Sequence, residues 1–124
     1  MDPSWHRRKA PGFRLGVLAR LSAAYLAPRT LALGIRRSWI PFLLELMERP
    51  GQNQDALSRA LSLDPAATAR ALSELEALGY VTRREDPSNR RQKIADPAPR
   101  TGEVIDLLQA VLLGHNEALF RDFS

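Results

Sequence analysis

The residues with the most to say about chemistry are arginines. Arg83, Arg84, Arg90 and Arg91, with Lys93, crowd around the turn-forming run Asp86-Pro87-Ser88-Asn89, and Arg70 stands apart on a stretch of helical periodicity. A guanidinium fork makes paired contacts with a phosphate or a guanine edge that a lysine point charge does not. The chain holds 16 Arg and 2 Lys, and its net charge of +4 is unevenly spread. Residues 1–37 carry +7, 38–80 carry −3, 81–100 carry +3 and 101–124 carry −3. Two separate basic stretches argue for a polyanionic partner, with a merely solvated surface as the alternative that charge alone leaves open.

Other chemistries lack their residues. With no cysteine there is no disulfide framework, thiolate metal cluster or thiol nucleophile. His6 and His115 stand near opposite ends of the chain, without the additional ligands of a metal site or the Ser and Asp partners of a catalytic triad. No Gly-rich phosphate loop occurs. The reading is of a protein that is no enzyme and needs no metal or cofactor. No apolar run approaches the ~18 residues of a membrane span, and the start Met1-Asp2-Pro3-Ser4-Trp5-His6 lacks the apolar stretch of a secretory signal, so a cytoplasmic protein without a membrane partner is expected. A length of 124 residues, 44% apolar and 26% charged, suits one ordinary core.

The elements that must position the arginines are legible in order. Residues 1–11 read as a flexible basic arm. From Gly12 to about Leu33, apolar residues at three- and four-residue spacing predict a helix that Pro28 should break or kink. Arg37 to Arg49, apolar nearly all round, predicts the core helix, stopped by Pro50-Gly51. Asn53 is placed to cap a short helix through Ala60, with Ala56, Leu57, Ala60, Leu61 and Leu63 turned inward. Asp64-Pro65 opens the next helix, which carries Thr68, Leu72 and Leu75 toward the core and ends at Gly79. Two helices so joined form a helix-turn-helix. Tyr80–Glu85 and Arg90–Ala95 predict a hairpin, and Thr101 is placed to cap a last helix with an apolar seam from Val104 to Leu113. The fold class expected is mostly α with a small β wing.

Residues 34–95 resemble the MarR (multiple antibiotic resistance regulator) family of bacterial transcription factors. The resemblance rests on Arg37-Ser38-Trp39, Pro50-Gly51-Gln52-Asn53-Gln54, Leu63-Asp64-Pro65-Ala66, Arg70-Ala71-Leu72, Leu75-Glu76, Leu78-Gly79-Tyr80-Val81, Arg83 and Asn89-Arg90-Arg91-Gln92-Lys93. It extends more weakly over Gly12 to Leu33 and Gly102 to Ser124. It implies a winged helix-turn-helix DNA-binding domain at 34–100, flanked by dimerisation helices at 12–33 and 101–124. It also implies a homodimer on a pseudo-palindromic operator in double-stranded DNA, acting as a repressor released by a small aromatic or phenolic effector. The helix 65–78 would then enter a major groove and each hairpin a flanking minor groove.

On that footing Arg70 is the leading base or phosphate reader, with an ion pair to Glu74 as its structural alternative. Ala66, Ser73 and the flanking Ala67 and Ala69 face the groove with it. Relatives commonly carry hydroxyls where this chain has Ala67 and Ala69, so readout is expected to lean on groove shape. Arg90 and Arg91 are expected in the minor groove, and Arg83, Arg84 and Lys93 at phosphates. Asn53 and Gln54 are expected to touch phosphate at a helix start, with capping alone as the other role of Asn53. Trp39, Phe42 and Tyr25 read as core; by resemblance Tyr25 and Trp39 are candidates to line an effector cavity. Relatives have an aspartate at Asn89, and Asp96-Pro97-Ala98-Pro99 predicts a wing strand that ends early. Relatives also begin a final helix about where this sequence stops at Ser124, so a smaller dimer seam is expected. The reading from another class is a winged-helix adaptor that uses the same surfaces for protein contacts; a membrane-surface role for the basic arm and residues 12–27 has little support in so alanine-rich a stripe.

Overall fold

The computed structural model describes residues 11–123. The expected basic arm and His6 therefore lie outside the described residues, except for Pro11, which opens the first helix. In chain order the elements are α1 (Pro11–Ala32), a 3-10 turn (Arg37–Trp39), α2 (Ile40–Glu48), β1 (Gln52–Asn53), α3 (Gln54–Leu61), α4 (Pro65–Ala77), β2 (Val81–Glu85), β3 (Lys93–Pro97) and α5 (Pro99–Phe123). The fold is a mostly helical winged helix-turn-helix with a small antiparallel sheet. Two compact units emerge, residues 11–34 with 107–123, and Ile35–Asp106.

In the first unit α1 runs through Pro28, against the expected break. Proline there leaves the Ala24 carbonyl without its usual amide donor, but the next turn is reinforced by side chains. Arg29 donates to the Tyr25 carbonyl at 2.8 Å, and the Thr30 hydroxyl donates to the Leu26 carbonyl at 2.9 Å. Gly34, at φ +74°, takes the left-handed conformation that ends the helix. Ser22 Oγ lies 2.8 Å from His115 Nε2, and the Tyr25 ring stands 5.9 Å from the imidazole with the Arg29 guanidinium 3.6 Å from its centroid. Gly114 is glycine for room, since a Cβ there would run into the Tyr25 hydroxyl.

The second unit is built around α2. Its core helix starts later than the periodicity predicted, because Pro41 favours a first-turn position and Arg37–Trp39 winds more tightly ahead of it. Leu43 and Leu46 of α2, Leu57 of α3 and Leu72 and Leu75 of α4 are all fully buried and supply leucines from three helices to the core of this unit. Ala60 faces outward, contrary to expectation, and Ser58 points inward instead, donating its hydroxyl to Thr68 Oγ1 at 2.9 Å. That buried pair satisfies two polar groups at the crossing of α3 and α4.

Asp64 caps α4 by accepting the Ala67 amide at 2.8 Å, with Pro65 in the first turn. Replacing Asp64 with alanine is expected to cost about 1 kcal/mol, read as a Tm lower by roughly 4–8 °C. Gly79, at φ +81°, turns the chain from α4 into β2.

The sheet has three strands in the order β1-β3-β2, one more than a hairpin. Gln52 pairs with Ala95 and Asn53 with Ile94, while β2 and β3 pair from Val81↔Pro97 to Glu85↔Lys93. The returning strand thus neither begins at Arg90 nor ends early. Pro97 is tolerated because it is the last residue of β3, and the next amide, Ala98, donates to the Tyr80 carbonyl at 2.9 Å. Thr101 is not a cap: α5 starts at Pro99, and the buried Thr101 hydroxyl donates to the same Tyr80 carbonyl.

Candidate nucleic-acid interface

Helix α4 buries one side and presents the other. Thr68, Ala71, Leu72 and Leu75 are buried, while Ala66, Arg70, Ser73 and Ala77 form an exposed stripe, as helical spacing requires. Ala67 and Ala69 lie half-buried at its margins. Arg70 does not pair with Glu74. That carboxylate instead accepts from Trp39 Nε1 at 2.8 Å and lies 4.0 Å from the Arg36 guanidinium. Arg36, Arg70 and Glu74, with Phe42 and Ala67, line a cleft of about 390 Å³ beside the helix.

Hydrogen bonds draw the start of α4, the start of α3 and the base of the wing to one edge. Gln54 Nε2 donates to the Pro65 carbonyl at 3.1 Å. Asn53 accepts the Ala56 amide at 2.9 Å as the cap of α3, and its Nδ2 donates to Asp86 Oδ2 at 3.3 Å. Both residues expected at phosphates thus also link these elements, and both side chains stay half-exposed. Asp86 also accepts from the Ser88 hydroxyl and amide, at 2.8 and 3.0 Å. These donors, the Ser88 hydroxyl first, hold its carboxyl below the ordinary aspartate range.

The arginines divide into engaged and unengaged. Arg83 is turned to Glu76 at 2.8 Å with its side chain 19% exposed, and Arg84 meets Asp96 at 3.2 Å. The hydrogen bond from Arg83 holds the Glu76 carboxyl below its usual range despite some burial. Arg83 Nε is buried without an acceptor among the described residues, so this arginine braces the wing against α4 rather than standing out toward a phosphate. Arg90, Arg91 and Lys93 are exposed. The side chains of Arg70, Arg90 and Arg91 have no ion pair or hydrogen-bond partner among the described residues. Asn89 does not orient the Arg91 guanidinium; its Oδ1 accepts the Arg91 main-chain amide at 3.2 Å.

Asp86, which bonds the wing to the α3 cap, was missed by sequence reasoning; only the Asp86-Pro87 turn signal marked it. Because the Asp86 and Glu76 carboxyls titrate below their unfolded values, their contribution is present at neutral pH and is lost as pH falls below about 4. The protection of the Ser88 and Asn89 amides, measured as exchange relative to the intrinsic rate at each pH, is expected to fall over that interval before the core unfolds.

Of the two candidate effector residues, Tyr25 belongs to the first unit and is half-buried, and Trp39 belongs to the second, is 5% exposed and spends its indole N–H on Glu74. Among the described residues no cluster of His, Cys, Asp and Glu suits a metal, and no helix is long and apolar enough to cross a membrane.

Comparison with known proteins matches this architecture. Residues 33–92 fit the MarR family model. A solved structure, the crystal structure of MarR, is 31% identical, covering 89% of this chain and 80% of that one with a TM-score of 0.79. A mutant MarR from E. coli complexed with operator DNA, 16% identical, shares the fold with a TM-score of 0.85 over 100% of this chain and 89% of that one. The uncharacterized HTH-type transcriptional regulator YybA of Bacillus subtilis (strain 168) is 26% identical over 95 residues, which is 77% of this chain and 63% of the relative, so the match spans less than two thirds of that protein. A winged unit of this order, matched at this identity over most of both chains, places the protein: it belongs to the MarR family of transcriptional regulators.

Proposed function

We propose that this chain is a homodimeric repressor that binds a pseudo-palindromic operator in double-stranded DNA and is released by a small aromatic or phenolic effector. The observation that carries the DNA reading is the pairing of exposed arginines that have no partner among the described residues with a bonded frame. Arg70 stands on the open face of α4 and Arg90 and Arg91 at the wing tip, while the elements bearing them are bonded to one another through Gln54, Asn53 and Asp86. Helix α4 would read a major groove with Arg70 and Ser73. Ala66, Ala67 and Ala69 offer only methyls, so groove shape carries much of the preference. Arg90 and Arg91 would enter the adjacent minor groove, with Lys93 and the exposed Arg84 at phosphates.

Dimerisation through α1 and α5 is supported by large apolar residues left exposed on both, among them Leu15, Leu31, Leu107, Leu113 and Phe120. Two copies on one duplex give the bivalent gain a palindrome exploits. Of the two aromatics assigned to the effector, Tyr25 is the accessible one. The family likeness and the operator complex solved for the E. coli protein favour the same reading.

The test is selection of bound sites from random duplex DNA, followed by salt titration of the winner. Neutralising several phosphates gives a log–log slope of about −0.9 for each. A flat titration with no selected sequence would point to the adaptor instead.

A further inference from the structure

The wing tip is tied down more firmly than an exposed arginine loop needs to be for folding alone. Two consecutive turns close it: the Asn89 amide donates to the Asp86 carbonyl at 3.2 Å, and the Gln92 amide to the Asn89 carbonyl at 3.0 Å. Its base is then bonded to the first turn of α3 at two points. Asp86 accepts from the α3 cap, Asn53. Gln92 reaches two residues further on, its Oε1 accepting the Asp55 amide at 3.1 Å and its Nε2 donating to the Asp55 carboxylate. Asp55 is distant in sequence from Gln92 and exposed, so these bonds do not serve the core. They hold the segment between Asp86 and Gln92, which carries Arg90 and Arg91, at a fixed distance from the helix-turn-helix.

We infer that Gln92 and Asp86 are positioning residues that latch the arginine tip to the start of α3 and so set where Arg90 and Arg91 meet a duplex. This rests on the DNA-binding reading above. A latched tip has lost its conformational freedom before binding, so less entropy is spent on the DNA. It also meets a flanking groove at one depth only, which turns groove width into sequence preference.

The experiment uses the full chain in three forms: wild type, Gln92→Ala, and the swap Gln92→Glu with Asp55→Asn, which rebuilds both bonds with the charge moved across. Each is measured for amide exchange over residues 88–92 and for affinity to duplexes that share their half-sites and differ in flanks, A·T-rich against G·C-rich. Wild type is expected to prefer the A·T-rich flanks by about tenfold. In Gln92→Ala the tip exchanges faster and the preference falls to within about twofold, with the Tm unchanged; the swap restores both. Asp86→Asn, which weakens the other point of attachment, is expected to move the same two readouts in the same direction. Unchanged exchange and unchanged flank preference in Gln92→Ala overturn the latch while leaving DNA binding standing. A wild-type chain that binds no duplex at all overturns both.

Discussion

Replacing Arg90 and Arg91 together by alanine is expected to weaken operator binding by on the order of a hundredfold and to flatten its salt dependence, with folding untouched. Both side chains are exposed and neither has a partner among the described residues, so their loss removes no contact within the fold. Surface substitutions of that kind stay within about 0.5 kcal/mol of wild type. On DNA the outcome differs. A guanidinium in a narrow minor groove sits in concentrated negative potential, and at about 1.4 kcal/mol lost in each protomer of the proposed dimer the deficit is tenfold per protomer, squared for the pair. The slope of log affinity against log salt should become shallower by roughly 0.9 for every phosphate no longer neutralised. Arg83→Ala makes the contrast. That side chain is half-buried against Glu76, so its removal exposes a gap between wing and α4 and is expected to lower the Tm rather than act on DNA alone. Equal affinity and equal slope for wild type and the double variant would remove the wing from the interface.

What sequence revealed and what it concealed divide along the reach of the interactions. The caps at Asn53 and Asp64 and the turn at Gly79 were legible because the residues that make them lie within a few positions of one another. The exposed stripe Ala66–Arg70–Ser73–Ala77 followed from the buried one by helical period alone. Strand β1 was not legible. Two residues carry no alternation to detect, and their pairing is settled by β3, far along the chain. Pro28 and Pro97 misled for a related reason, since each is a breaker by local rule and each is accommodated by donors that local rule does not count. The same holds at the site. Sequence identified the arginines but could not tell that Arg83 and Arg84 are bound to carboxylates, or that the Asn53 and Gln54 side chains make bonds to the wing and to α4. Charge says which residues suit a polyanion; only packing says which of them are left over for it.

Leu75→Ala should be the most damaging single change on α4, the proposed reading helix, costing about 2–5 kcal/mol. Leu75 is fully buried in a core that Leu43, Leu46, Leu57 and Leu72 also enter, and truncation there removes transfer energy and leaves a cavity that the surrounding side chains fill only in part. For a unit of this size the loss appears as a Tm lower by roughly 10–30 °C in thermal unfolding. Ser73→Ala, two residues earlier, supplies the comparison. Its side chain is exposed and replaced by a better helix former, so stability should hold within about 0.5 kcal/mol, and any effect belongs to DNA. A cost of several kcal/mol at Ser73 with none at Leu75 would mean that α4 is rotated about its axis, and Arg70 would then be turned away from any groove. The stability pair therefore checks the orientation of the reading face without using DNA, which keeps a failure of the helix distinct from a failure of the operator.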